Sequence, residues 1–209
     1  MDLYFSPLAC SLATRIALYE AGLDAETRFH NVTLSTKRYD DDRDFIAVTA
    51  KGQVPALVTR DGSLLTENAA VLQYVADLAP ASRLAPAPAD PMRYQLQQWL
   101  SFVGTELHKQ VFGVVYNAKA PAEAKAFALG EVLPAKLAVA DAAVTDRPFL
   151  VGDSFTVADA YLLTTLNWAR HCKVDFAPLP ALAAYHARML ARPQVKRAYK
   201  DERALSELS

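Results

Sequence analysis

Four short stretches of the chain carry side chains that can do chemistry. The first is Ser6-Pro7-Leu8-Ala9-Cys10-Ser11. It joins the end of a β-prone run to the start of a helix, which is where open α/β units bind ligands. Unpaired N–H groups and the positive end of the dipole meet there and favour a thiolate. Cys10 is therefore a candidate reactive thiol; the plainer alternative is a small buried residue, with Ser11 capping the helix. The second stretch is Gln53-Val54-Pro55. Proline is tolerated at a strand start because no ladder N–H is needed. Base rates favour a trans bond before it. A cis bond would leave the backbone N–H and C=O of Val54 outside the sheet, able to pair with an extended peptide.

The third stretch, Thr66-Glu67-Asn68, sets an acidic side chain at the first amides of a helix. The amides suit a carboxylate and Glu67 suits an ammonium. A γ-glutamyl group carries both on one carbon. The alternative is simple capping by Thr66 or Asn68. In the fourth, Ser101, Thr105 and His108 are spaced by four and three residues and share one helix face. A lone helix histidine is also an ordinary structural residue, and that alternative stays open. Ser154 to Ala160 is different in kind. Thr156 with Asp159 three residues on is a capping-box pattern that carries folding information rather than chemistry.

The elements that must position these residues fall into two groups. Asp2–Phe5 is a strand, Ser11–Ala21 a helix with Gly22 as its stop, and Glu26–Val32 a second strand, a start that implies two parallel strands joined by a right-handed crossover. Pro55–Arg60 and Ser63–Thr66 flank Asp61-Gly62, which predicts a hairpin with a two-residue turn of positive φ at both central positions. A helix follows over Glu67–Leu78. The order gives a small α/β unit over residues 1–79. Residues 80–91 hold four prolines and form a stiff linker. Beyond it, residues 92–209 are predicted all-helical. Leu96, Trp99, Leu100, Val103, Leu107 and Val111 step at three and four residues along a long amphipathic helix. Ala122–Val144 is another, with Pro134 expected to bend it, and Asp153–Arg170 and Leu179–Ala191 add two more.

Composition narrows the partners. The chain has 209 residues, 52% of them apolar, and a formal net charge of −1 from 22 Lys plus Arg against 23 Asp plus Glu. A near-neutral chain without a basic run offers no electrostatic reason to bind nucleic acid. No apolar run reaches the length of a membrane span, and the first residues lack a signal-peptide pattern. The two cysteines, Cys10 and Cys172, are far apart, which argues against a disulfide framework and for a reducing, cytoplasmic setting. The four histidines are scattered, so no metal site is expected.

Taken in order, the motifs resemble the cytosolic glutathione S-transferases, most closely the bacterial beta class. The resemblance rests on Leu3-Tyr4-Phe5-Ser6-Pro7, Ala9-Cys10-Ser11-Leu12, Lys37, Gln53-Val54-Pro55, the Asp-Gly hairpin and Leu65-Thr66-Glu67. It continues through Trp99, Phe102, Thr105-Glu106-Leu107-His108-Lys109, Phe155 to Tyr161 and Leu166-Asn167-Trp168, as far as Arg192-Pro193. It covers nearly the whole chain. It implies a thioredoxin-like N-terminal domain, an all-α C-terminal domain, a homodimer and a cis bond before Pro55, against the base rate. It also implies glutathione as co-substrate, with Cys10 beside its sulfur, Val54 and Pro55 at the cysteinyl unit, Glu67 and Asn68 at the γ-glutamyl end and Lys37 at the glycyl carboxylate. Thr105 and His108, with Ser101 nearby, would act from the second domain, Cys10 and His108 being the catalytic pair. Leu8, Phe112, Tyr116, Trp168 and His171 are expected to line the electrophile pocket.

Four positions depart from the family pattern: Phe5 stands where Tyr is usual, Leu8 where Gly is usual, Asn68 where Ser is common, and Ser101 where related sequences can have Asn. The implied function is conjugation of glutathione to hydrophobic electrophiles, a detoxification reaction. The alternatives are glutathione-dependent thiol–disulfide exchange or peroxide reduction through Cys10, and a non-catalytic interaction module on the same fold.

Overall fold

The computed structural model describes residues 1–206. The chain forms two compact units, divided after Leu84. The first holds a mixed sheet of strands β1 (Asp2–Phe5), β2 (Arg28–Thr33), β3 (Arg38–Tyr39), β4 (Arg43–Asp44), β5 (Ala56–Val58) and β6 (Leu64–Thr66), with helices α1 (Ser11–Glu20) and α2 (Asn68–Leu78). The sheet order is β4-β3-β2-β1-β5-β6. β1 runs parallel to β2, Leu3 opposite Phe29, and antiparallel to β5, Leu3 opposite Leu57. This is the predicted crossover followed by an antiparallel pair.

β1 is the central strand, and its residues alternate between the two faces. Phe5 faces α1, where the guanidinium of Arg15 lies 4.1 Å from its ring centroid. Tyr4 points the other way, into a cluster with Val32, Phe45 and Ala56. Phe5 is thus a packing residue, which accounts for the missing phenol.

The hairpin between β5 and β6 forms, but not with the predicted turn. The Thr59 amide donates to Ser63 O and the Gly62 amide donates to Thr59 O, at 2.9 and 3.0 Å. The loop is Arg60-Asp61-Gly62, and only Gly62 takes a positive φ, 83°. Asp61 keeps ordinary backbone and uses its carboxylate instead, accepting from Thr59 Oγ1 and the Ser63 amide. This is a three-residue loop closed by a glycine bulge. The short strands β3 and β4, two residues each, lie between β2 and β5 and carry no alternation long enough to signal them in the sequence.

In the second unit, α3 (Met92–Phe102) continues through a π-helical stretch, Val103–Phe112, into a last turn at Gly113–Val115. Leu96, Leu100, Val103, Leu107 and Val111 are all buried, as their spacing predicts. α4 (Ala122–Phe127) reaches α5 (Leu133–Ala143) through a second π-helical stretch, Ala128–Val132. Pro134 sits just past it. Its ring would crowd the carbonyl of Gly130 in a regular helix, and the widened turn accommodates that. α6 (Val157–His171) and α7 (Pro180–Leu190) complete the unit.

The Thr156–Asp159 capping box is present and reaches further than its pattern says. Asp159 Oδ2 accepts from the Thr156 amide at 2.8 Å and its hydroxyl at 2.7 Å. Asp159 Oδ1 accepts from the Leu150 amide at 2.9 Å and the Tyr185 hydroxyl at 2.8 Å. The carboxylate is wholly buried, and burial raises its pKa despite these donors.

The expected all-helical domain over residues 92–209 differs from the observed second unit, Ala85–Arg192. The helix α8 (Pro193–Ser206) belongs to the first unit, packed on α1. The apolar signal of α8 is slight, Val195 and Ala198 being the apolar residues on its buried face, and the rest of what fastens it is polar. Glu202 is fully buried; its Oε1 pairs with Arg15 Nε at 2.9 Å. Beside it, the Tyr19 hydroxyl donates to Asp201 at 2.8 Å, and Arg197 pairs with Asp24 at 2.8 Å.

Candidate functional site

Two pieces of the first unit meet at the amino end of α1, and a third joins the start of α2. Cys10 is the residue that caps this helix, and its thiol is buried. Cys10 Sγ donates to the carbonyl of Val54 at 3.1 Å. The Val54–Pro55 bond is cis, as the resemblance implies. Val54 lies outside the ladder, which begins at Ala56. Part of the backbone expected to meet a ligand is thus engaged by the thiol itself.

Ser11 is no cap. Its buried hydroxyl accepts from the Ser6 amide at 3.2 Å and donates to Ser6 O at 3.3 Å, closing the turn before the helix. Within that turn Leu8 takes φ 59°, left-handed backbone that favours glycine. A side chain there costs about 1–2 kcal/mol, the physical reason Gly is usual. The Leu8 amide donates to Glu202 Oε2 at 2.7 Å, so the buried carboxylate on α8 also holds the cysteine loop.

The second piece is the start of α2. Thr14 Oγ1 donates to Asn68 Oδ1 at 3.0 Å, and Asn68 Nδ2 donates to Cys10 O at 3.1 Å. Asn68 is buried and fastens the two helix starts side by side. Its side chain is structural, and what it offers a ligand is its main-chain amide at the start of α2. Glu67, before it, is exposed and has φ 69° without a side-chain cap. Neither Thr66 nor Asn68 is the N-cap. A non-glycine residue held in this region costs about 1–3 kcal/mol, and such residues cluster at ligand clamps.

The third piece carries two lysines. Lys37 Nζ donates to Gly52 O at 2.8 Å. Gly52 has φ 55°, and a Cβ there would meet Ile46 at 2.9 Å and Lys37 at 3.4 Å. Glycine therefore lets the Lys37 stem and the loop close on each other. Lys51 was not singled out from the sequence. Its Nζ lies 2.6 Å from Glu67 Oε1 and 2.9 Å from Thr66 Oγ1. Its position two residues before Gln53 was the only signal. The site thus alternates charge: Lys37 and Lys51 cationic, Glu67 anionic, and the first amides of α2 partly positive.

In the second unit, the π-helical stretch carries Thr105, His108 and Phe112, and π segments recur at functional sites. Thr105 is exposed; its hydroxyl donates to Ser101 O at 3.0 Å. His108 is half-buried in an aromatic group. Its ring lies 5.1 Å from Trp168, which lies 5.4 Å from Phe112 and 5.9 Å from Tyr116. Three of the expected pocket residues, Phe112, Tyr116 and Trp168, are therefore one cluster. His171 is exposed at the end of α6 and makes no ring contact with them; Leu8 belongs to the first unit. Among the described residues no group of three or more His, Cys, Asp or Glu side chains could hold a metal ion, and no helix is long and apolar enough to cross a membrane.

A thioredoxin-like unit with a cysteine at the first helix and a cis proline facing it, followed by a helical unit, defines a glutathione-binding fold. Residues 9–78 match the glutathione S-transferase N-terminal domain and residues 105–203 the C-terminal domain. The chain is 40% identical over 202 residues to glutathione S-transferase GstA of Escherichia coli O157:H7, covering 97% of this chain and 98% of that protein. A sphingomonad glutathione S-transferase solved with glutathione superposes with a TM-score of 0.91 at 42% identity, over 97% of this chain and 98% of the other. The beta-class enzyme of Sphingomonas chungbukensis gives 0.90 at 40% identity, over 97% and 98%. The chain belongs to the glutathione S-transferase family and is most like its bacterial beta class.

Proposed function

We propose that the chain is a glutathione transferase that joins reduced glutathione to hydrophobic electrophiles. The observation that carries the reading is the convergence of Cys10, the Val54 carbonyl and the start of α2, tied together by Asn68. Extended backbone at Val54 suits a peptide, and Glu67 with the Asn68 amide suits an α-ammonium and α-carboxylate on one carbon. Lys37 is assigned to the glycyl carboxylate, and Ser101, Thr105 and His108 are the helical unit's contribution. Keeping the glutathione thiol ionised at neutral pH takes about 2.7 kcal/mol of preferential stabilisation. The thiolate then attacks a carbon of the electrophile, and the leaving group departs with the bonding pair. Phe112, Tyr116 and Trp168 are the proposed acceptor wall, whose aromatic rings suit apolar substrates. A cytoplasmic homodimer with a role in detoxification completes the reading.

Cys10 supports a second chemistry on the same site. Its thiolate attacks a glutathione mixed disulfide, releasing the substrate thiol and leaving Cys10 joined to glutathione. A second glutathione thiolate resolves that bond, giving oxidised glutathione and free Cys10.

Calorimetry with glutathione tests the binding, and no heat of binding would favour the non-catalytic module. Cys10→Ala separates the two chemistries. Conjugation of an activated aryl halide is expected to persist within about tenfold, the worth of one hydrogen bond to the sulfur, while disulfide reduction falls to background. Loss of both would make Cys10 essential to each, and a parent protein with neither activity would end the enzymatic reading.

A further inference from the structure

His108 and Tyr161 meet through His108 Nδ1 and the phenolic oxygen, 2.6 Å apart. His108 comes from the π-helical stretch and Tyr161 from α6. Tyr161 is buried, and so is Trp168, two turns further along the same helix. Both rings stand edge-on to the imidazole, with centroids 5.9 and 5.1 Å away and interplanar angles of 83° and 66°. One face of α6 therefore holds the histidine ring by a hydrogen bond and two aromatic contacts.

A neutral imidazole has one donor and one acceptor nitrogen, and the bond made at one nitrogen decides the state of the other. A phenol is the better donor of this pair, because its oxygen lone pairs are delocalised into the ring. The unprotonated imidazole nitrogen is the better acceptor. The contact is thus most stable as O–H···Nδ1.

We propose that Tyr161 is a positioning residue for His108: its hydroxyl donates to Nδ1, fixes the ring's orientation and keeps the ring's proton on Nε2. The catalytic consequence rests on the reading of His108 given above. A proton on Nε2 makes that nitrogen a donor, which suits an anionic sulfur. The opposite tautomer would offer a lone pair and repel it. The tautomer itself does not depend on that reading.

The test is the long-range proton–nitrogen spectrum of the full chain labelled with 15N-histidine, taken at about pH 8, where an unperturbed imidazole is neutral. The His108 signals are assigned by their loss in His108→Asn. Nδ1 is expected unprotonated and Nε2 protonated. In Tyr161→Phe the Nδ1 resonance should move and the two tautomers mix. For conjugation of an activated aryl halide, Tyr161→Phe should lower kcat/KM by about three- to tenfold, the worth of one hydrogen bond. The KM for glutathione should change little, and the loss should vanish in the His108→Asn background. A protonated Nδ1 in the parent overturns the proposal. So does a Tyr161→Phe loss of equal size with and without His108, the mark of a merely structural residue. A parent without transferase activity would defeat the functional reading alone, and the parent spectrum still decides the tautomer, as it does if Tyr161→Phe does not fold.

Discussion

Among the described residues each unit of the molecule buries one carboxylate completely, Asp159 and Glu202, and the two are satisfied in different ways. Asp159, in the helical unit, accepts from two amides and two hydroxyls, all of them neutral donors. Glu202, on α8, faces a cation: Arg15 at 2.9 Å, with the Leu8 amide on its other oxygen. Arg15 is itself buried, its Nη2 has no hydrogen-bond partner, and its plane lies over the Phe5 and Phe29 rings at 4.1 and 4.2 Å. The first arrangement is a local cap extended into the core. The second is a long-range ion pair that anchors a helix and holds the loop preceding the cysteine. A cap tolerates loss of charge as long as an acceptor remains. A buried pair does not tolerate loss of one member, because the other is left charged and unsolvated.

The largest effect that would sharpen this contrast is expected for Arg15→Ala. It removes the cation beside buried Glu202 and should cost about 3–5 kcal/mol of unfolding free energy, read by urea denaturation at about pH 8, above the value of about 7 to which burial pushes that carboxyl. A cost under about 1 kcal/mol would mean the pair is not what fastens α8. Asp159→Ala comes next, at about 2–4 kcal/mol, combining a lost cap with buried donors left unpaired. Asp159→Asn should recover much of it, since an amide oxygen still accepts. If the amide variant is as damaging as alanine, the charge matters there too and the contrast fails.

The smallest effect is in the pH dependence. Burial, opposed by Arg15 and the Leu8 amide, pushes the Glu202 carboxyl from 4.5 up to about 7. The folded state then holds a proton that the unfolded state has released, so this contribution is full below about pH 4.5 and is lost as pH rises to about 7. His186, in the helical unit, runs the other way. Burial first, then Arg170, lowers it from 6.5 to about 4. Its contribution is full above about 6.5 and is lost as pH falls to about 4. Glu202→Gln should therefore steepen the rise of stability from about pH 4.5 to 6.5, and His186→Gln should expose a fall over the same range. Parallel curves for the two variants and the parent would remove both assignments.

The same contrast explains what was legible in the sequence. The Thr156–Asp159 cap was readable because its partners are three residues apart and the pattern is local. The Asp-Gly hairpin was readable for the same reason, although the turn type was not: Thr59 and Ser63, outside the dipeptide, choose the three-residue loop. The parallel start of the sheet, the antiparallel pair and the buried stripe that begins on α3 followed from periodicity and turn signals, while the order of all six strands did not. α8 was illegible, since Arg15 and Glu202 are 187 residues apart and a single buried Glu has no periodic signature. Cys10, Val54 and Glu67 were legible as a constellation only through their order along the whole chain. Lys51 and the structural use of the Asn68 side chain needed coordinates, because each depends on which neighbour a flexible or short polar group finds.

Arg15 and Glu202 also set a timetable for biosynthesis. A nascent chain grows at about 5–20 residues per second, so the arginine emerges about 10–40 seconds ahead of its counterion. During that interval the α/β half exists with an unneutralised guanidinium and an uncovered helix flank, while the helical half is made in full. The first module to leave the ribosome is the last to be finished, and a premature stop shortly before residue 202 would harm the amino-terminal module rather than the one being translated.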